Sequence, residues 1–321
     1  GFTFIPGAGR GLVLKYQATH HLNGKSPLMS LLTSKQSVLL TACSLSLTCM
    51  TASAQPAFPD AKASDPVALG LMQGFPPAPD KVVNFTNYLH FPQLRWAFSH
   101  ARELLPTINV SRGEGPVYAL PRAERKDIDN LSFMPLGSDK PMTWEHSLAA
   151  NYTDGIVILH RGKLVYERYF GALDAQGQHM AMSVTKSFVG TLGAMLVEEG
   201  VLDPQAAVTQ YVPELKDSGF GNATVRQVLD MTTGIQYSEN YADPKAEIWE
   251  YVRAGHILPR PPGYSGATSL YAFLQKVKPQ GQHGQAFAYK TVNSDVLAWI
   301  IQRASGQSVA ELLRTRIWNK L

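Results

Sequence analysis

The chain has 321 residues, 45% of them hydrophobic, with 29 lysines and arginines against 25 acids and a formal charge of +4. That length is enough to build a sizeable core without disulfides or metals as staples. Both cysteines, Cys43 and Cys49, fall within the first 54 residues, so the remainder has no disulfide, no thiol nucleophile and no cysteine metal site.

Residues 1–28 show no hydrophobic periodicity and read as an upstream extension before a natural start at Met29. From there Lys35 precedes an uncharged run, Val38 to Met50, and an Ala52-Ser53-Ala54 exit. A charged start, an apolar centre and an Ala-x-Ala exit predict a secretory signal peptide over residues 29–54, and hence export to the periplasm. The run is short for a transmembrane segment. Leu40-Thr41-Ala42-Cys43 also resembles a lipobox, which leaves a lipoprotein anchored through Cys43 as the alternative. Residues 1–54 carry Arg10, Lys15, Lys25 and Lys35 and no acid, so 25 basic and 25 acidic residues remain after them. The basic pI of about 8.9 therefore belongs to the leader. Nothing in the rest argues for nucleic acid or an anionic membrane as partner.

Residues 55–150 are rich in proline and aromatics, as in Gly74-Phe75-Pro76-Pro77 and Arg95-Trp96-Ala97-Phe98. They read as irregular chain with one short helix from Trp96 to Leu105. Two apolar runs, Gly155–His160 and Lys163–Phe170, flank Arg161-Gly162 and predict a β-hairpin. The apolar stretch behind Ser183 is too long for a strand and stops at Gly200, so residues 182–199 read as a helix buried on most sides. Val208 to Tyr211 and Pro213 to Leu215 read as short helical pieces. Thr224–Met231 reads as a capped short helix. A loop bearing Tyr237 and Tyr241 follows, then an amphipathic helix from Asp295 to Ser305 ending at Gly306, and further helix from Val309 to Leu321.

The chemistry centres on Ser183-Val184-Thr185-Lys186, the one Ser-x-x-Lys in the chain. Residues three apart on a helix share a face, so Lys186 can reach Ser183. A serine hydroxyl needs a neighbouring base to become a nucleophile. A desolvated lysine can serve, because burial favours its neutral amine. The helix N-terminus adds a partial positive charge suited to a developing oxyanion. A capping serine beside a solvated lysine would give the same four letters, so the tetrapeptide alone leaves both readings open.

The ordered set of motifs says more. Ser183-x-x-Lys186 follows a hairpin; then come Gly200-Val-Leu-Asp-Pro204, Tyr211-Val-Pro-Glu-Leu215, Thr224-Val-Arg-Gln-Val-Leu-Asp-Met-Thr-Thr-Gly234, and Phe287-Ala-Tyr289 with a helix ending Ala304-Ser-Gly306. Together they resemble the serine β-lactamase and penicillin-binding-protein superfamily, in its class C and esterase-like branch. The Tyr237–Pro244 loop and the Trp96 segment look most like 6-aminohexanoate-dimer hydrolases. The resemblance implies an α+β fold, an antiparallel sheet flanked by helices beside an all-helical domain, with residues 55–200 in the first and 201–321 in the second. It implies an acyl-enzyme on Ser183, with Lys186 helping to deprotonate it and Tyr289 passing a proton to the leaving group. The implied partner is a small ester or amide substrate, with no cofactor. A β-lactamase or D-alanyl peptidase, or a non-catalytic binding module, are the alternatives.

Two departures qualify the resemblance. The second motif is usually Tyr-x-Asn, and here Thr291 stands third; Asn293, two residues on, is expected to point elsewhere. Thr291 and Tyr237 are the candidate substrate-binding residues, with Tyr237 equally readable as a loop aromatic packed at a domain boundary. The third motif, Lys or His then a small residue and Gly, is not found between Lys290 and Leu321. The expectation is a fold incomplete at its C-terminus, with an unpaired hairpin edge and no competent enzyme from these residues alone. Nine histidines contain no His-x-His or His-x-x-x-His pair, so no metal site is expected. Gly263-Tyr-Ser265-Gly-Ala is no nucleophile elbow, and no phosphate loop is present.

Overall fold

The computed structural model describes residues 59–321. The upstream extension and leader expected over residues 1–54 lie outside the described residues. Helices α1 (Leu94–Ala97) and α2 (Ala101–Leu104) stand where one helix was expected. The ladder breaks because His100 folds back: its ring stacks on Trp96 at 3.9 Å and its Nδ1 lies 2.8 Å from the Trp96 carbonyl. Trp96 and Ala97 close a small core with Leu71, Val83 and Tyr88.

Strands β1 (Ser132–Phe133) and β2 (Met142–Thr143) pair antiparallel. Thr143 then caps α3 (Trp144–Ala150), its side chain accepting from the His146 N–H. This helix was not foreseen within the irregular stretch. The hairpin is as expected: β3 (Gly155–His160) pairs antiparallel with β4 (Lys163–Tyr169). Arg161 and Gly162 both take positive φ, 50° and 75°, the turn whose twist matches that of the strands. Leu164 and Tyr166 of β4 turn inward, Tyr166 joining Ile128 and Leu148 in a second small core, while Val157 and Leu159 of β3 are about half exposed.

Serine-bearing helix α4 (Thr185–Glu198) follows a single 3₁₀ turn, Met182–Val184. It is not buried on most sides. Leu192, Gly193 and Leu196 are buried, whereas Ser187, Thr191, Ala194 and Glu198 form an exposed stripe. Small and polar residues at this spacing give the helix one wet face despite its high apolar content. The buried face joins the main core, built with α5 (Val208–Tyr211), α6 (Val225–Leu229), α7 (Glu247–Ala254), α8 (Leu270–Leu274), α9 (Val292–Ser305) and α10 (Val309–Arg316). Gly193 lets α4 approach closely: a Cβ there would stand 3.2 Å from Leu229 and 3.3 Å from Leu297 of α9. Thr224 and Gln227 close a reciprocal capping box on α6. Helix α9 starts three residues before the expected Asp295 and ends on Gly306 in the left-handed conformation. Among the described residues, no helix is long and apolar enough to cross a membrane.

Candidate active site

Ser183 sits on the 3₁₀ turn that feeds α4, directly after Met182, whose φ is +44°. A β-carbon-bearing residue holds that conformation at a cost, and such strain clusters at functional positions. The turn delivers Ser183 to the surface at the positive end of a 14-residue helix. Lys186, one turn on, places its Nζ 3.1 Å from Ser183 Oγ. Tyr289, 106 residues away in sequence, places its hydroxyl 2.9 Å from the same oxygen. Lys186 Nζ also lies 5.2 Å from the centre of the Tyr289 ring. Two side chains from distant segments thus converge on the Ser183 hydroxyl.

The segment carrying Tyr289 is held by the loop after α6. Ala288 N–H donates to the Met231 carbonyl at 3.0 Å, Lys290 Nζ donates to the Ile235 carbonyl, and Thr291 N–H donates to Glu239 Oε1. Burial holds the Lys290 amine below its usual range, against the pull of Glu247. Asn293 is fully buried, accepts from Thr233 Oγ1 at 2.7 Å and donates to the Lys290 carbonyl at 3.2 Å. It is a strut of the fold and is not turned to the site. His283, whose imidazole burial keeps low, accepts from the Gly234 N–H and faces Asn222 through its other nitrogen. Its role is to close the same loop.

The remaining expected site residues stand apart from this trio. Tyr237 is buried among Tyr251 and Phe273, ring centres 6.1 and 6.3 Å away, and its hydroxyl has no hydrogen-bond partner. Burial, then Glu239, pushes that phenol above its ordinary range. Thr291 precedes α9, and it is its backbone N–H, not its side chain, that is engaged. Two acids were given no site role in the sequence. Glu239 braces Thr291, and Asp295 lies in the first turn of α9 with Oδ2 buried and unpartnered. Burial pushes its pKa up to about 6, against the opposing pull of the Tyr251 hydroxyl and the Lys186 charge. Among the described residues no cluster of three or more His, Cys, Asp or Glu side chains could hold a metal ion.

This fold with a Ser–Lys–Tyr trio at a helix start defines a class, and the comparisons agree with it. The beta-lactamase family model matches residues 147–321, and the chain belongs to that family, within the serine hydrolase superfamily. It is similar to the 6-aminohexanoate-dimer hydrolase of Paenarthrobacter ureafaciens, 36% identical over 230 residues, covering 72% of this chain and 56% of the relative. Protein flp of Staphylococcus aureus is 26% identical over 192 residues, covering 55% of this chain and 35% of that protein. A solved Bacillus anthracis chain, provisionally assigned as a 6-aminohexanoate-dimer hydrolase, superposes with a TM-score of 0.69 at 31% identity, covering 76% of this chain and 63% of that one. The chain thus spans less than two thirds of the length of the curated relatives it matches.

Proposed function

We propose that this protein is a serine hydrolase that forms an acyl-enzyme on small linear esters or amides, in the manner of the 6-aminohexanoate-dimer hydrolases it resembles. The observation that carries the reading is the double contact on Ser183 Oγ, from Lys186 Nζ at 3.1 Å and Tyr289 OH at 2.9 Å. Ser183 Oγ attacks the carbonyl carbon while Lys186 accepts its proton. Tyr289, bonded to the same oxygen, returns a proton to the departing amine or alcohol. Water then hydrolyses the ester on Ser183. The positive end of α4 lies beside the carbonyl oxygen as charge develops on it.

The arrangement favours linear substrates over β-lactams. The resemblance assigns the amide contact of β-lactams to an asparagine two residues after the tyrosine, and Thr291 occupies that place. Asn293 is committed to Thr233 and to the Lys290 carbonyl and cannot substitute. Export through the leader read at residues 29–54 belongs to the same proposal. The test is hydrolysis of p-nitrophenyl acetate, the linear 6-aminohexanoate dimer and a chromogenic cephalosporin by the protein and by Ser183→Ala. The expected pattern is turnover of the ester and the dimer, little of the cephalosporin, and loss of all turnover in the variant. Undiminished turnover by Ser183→Ala would overturn the assignment.

A further inference from the structure

Gly234 has no room for a side chain. A Cβ there would stand 2.8 to 2.9 Å from the backbone of Gly281 and Gln282, so two chain segments lie against each other at this point. They are tied together along residues 231–236 and 278–288. Gln236 N–H donates to the Lys278 carbonyl at 2.8 Å, and Gln280 N–H to the Gly234 carbonyl at 3.1 Å. Gly284 N–H donates to the Thr232 carbonyl at 2.8 Å, and Ala288 N–H to the Met231 carbonyl at 3.0 Å. The last of these bonds holds the residue directly before Tyr289. The Gly234 N–H goes to a side chain, donating to His283 Nδ1 at 2.9 Å. His283 Nε2 lies 2.9 Å from Asn222 Oδ1, on the loop before α6.

These two contacts fix where the ring carries its proton. A nitrogen that accepts from an N–H has no hydrogen of its own, so Nδ1 is bare and Nε2–H donates to Asn222. Only the neutral imidazole fits. A second proton would sit on Nδ1 and point at the Gly234 N–H, replacing an attraction by two opposed donors. Burial holds the imidazole below its usual range, which keeps it neutral to lower pH. The charged residues on the packed segments are Lys216 and Asp217 before Asn222, Arg226 and Asp230 of α6, which pair with each other, and Lys278 and Lys290 on either side of His283. The ring's bonds go to Gly234 and Asn222, neither of which titrates.

We propose that His283 is a positioning residue for Tyr289 and an acid-released latch: its neutral ring holds residues 278–288 on the 231–236 loop, which sets the Tyr289 hydroxyl against Ser183 Oγ, and its protonated ring lets that segment go. The proposal rests on the acyl-transfer reading above. His283 touches no reacting atom; it acts through Tyr289, six residues on.

The experiment is the pH profile of p-nitrophenyl acetate hydrolysis, corrected for the uncatalysed reaction. It compares the protein with His283→Asn, His283→Ala, Tyr289→Phe, the His283→Ala/Tyr289→Phe double variant and Ser183→Ala. Asparagine can place an oxygen where Nδ1 stands and takes no proton in this range; alanine leaves the Gly234 N–H without its partner. Near pH 8 the kcat of His283→Ala falls about tenfold while KM moves less than about twofold, and His283→Asn recovers to within about threefold of the native rate. The ratio of native to His283→Asn rates cancels the limb that belongs to Lys186. It is constant above neutrality and falls as the pH drops through the titration of His283. In the Tyr289→Phe background, His283→Ala costs less than about twofold, because the hydroxyl it positions is gone. A ratio that stays flat into the acid range overturns the latch. Costs that multiply in the double variant, or an asparagine variant no better than alanine, overturn the positioning role. Where His283→Ala folds poorly, the native and His283→Asn profiles decide by themselves. Ser183→Ala separates the two claims: full activity in that variant defeats the acyl-transfer reading itself, whereas an inactive Ser183→Ala beside a flat ratio defeats only this inference.

Discussion

Replacing Asp295 by asparagine should stabilise the protein at neutral pH, and the size of the gain follows from its surroundings. Burial lifts the carboxyl from the ordinary aspartate value of 3.8 to about 6, with Tyr251 and Lys186 opposing the rise. An acid raised in this way contributes stability that is fully present below pH 3.8 and is lost as the pH rises through about 6. A rise of roughly two units corresponds to a loss of up to about 3 kcal/mol above that range. Asparagine has the shape of the protonated acid and cannot ionise, so the variant escapes the loss. Chemical denaturation midpoints at a series of pH values between 4 and 8 measure it. The variant should match the native protein near pH 4 and exceed it increasingly up to about pH 7. A constant difference across the range, or a variant less stable at every pH, would refute the claim that the folded protein holds a costly carboxylate here.

Other outcomes follow from the same geometry. Lys186→Arg should be inactive against p-nitrophenyl acetate, because a guanidinium stays charged at any usable pH and cannot take the serine proton; an active variant would show that another group is the base. Tyr289→Phe keeps the ring beside Lys186 but removes the hydroxyl 2.9 Å from Ser183 Oγ. Its turnover should fall by about a hundredfold with the thermal midpoint little changed, and an unchanged rate would remove Tyr289 from the mechanism. Ile300→Ala, at a fully buried position of α9, should cost roughly 2–5 kcal/mol in denaturant unfolding; a cost below about 1 kcal/mol would contradict the packing described.

Local signals made much of this legible in sequence. Arg161-Gly162 between two apolar runs announced the hairpin, Thr224 as a cap announced α6, and Gly306 announced the end of α9. Each acts within a few residues, where backbone chemistry is decisive. What went unread was set by distant partners. Helix α7 carries Ile248, Tyr251 and Ala254 at helical spacing, but its burial comes from α8 and Tyr237, outside the reach of its own local pattern. The exposure of one stripe on α4 depended on which neighbours cover it, and its letters gave only a high apolar content. At the site, Ser183 and Lys186 were legible because they share a helix turn. Tyr289 required the resemblance, since no local rule pairs residues 106 apart. Asp295 was named only as a helix start, because the shielding of its Oδ2 is a property of the assembled core.

The central claim is that Ser183 becomes acylated. The direct measurement is to mix the protein with p-nitrophenyl acetate, quench in acid within the first turnover, digest, and weigh the peptide that contains Ser183. This peptide should gain one acetyl group, fragmentation should place it on Ser183, and the adduct should disappear as water hydrolyses it. No adduct should form in Ser183→Ala. Hydrolysis of the ester with no mass gained on Ser183, or an equal adduct in the variant, would contradict it.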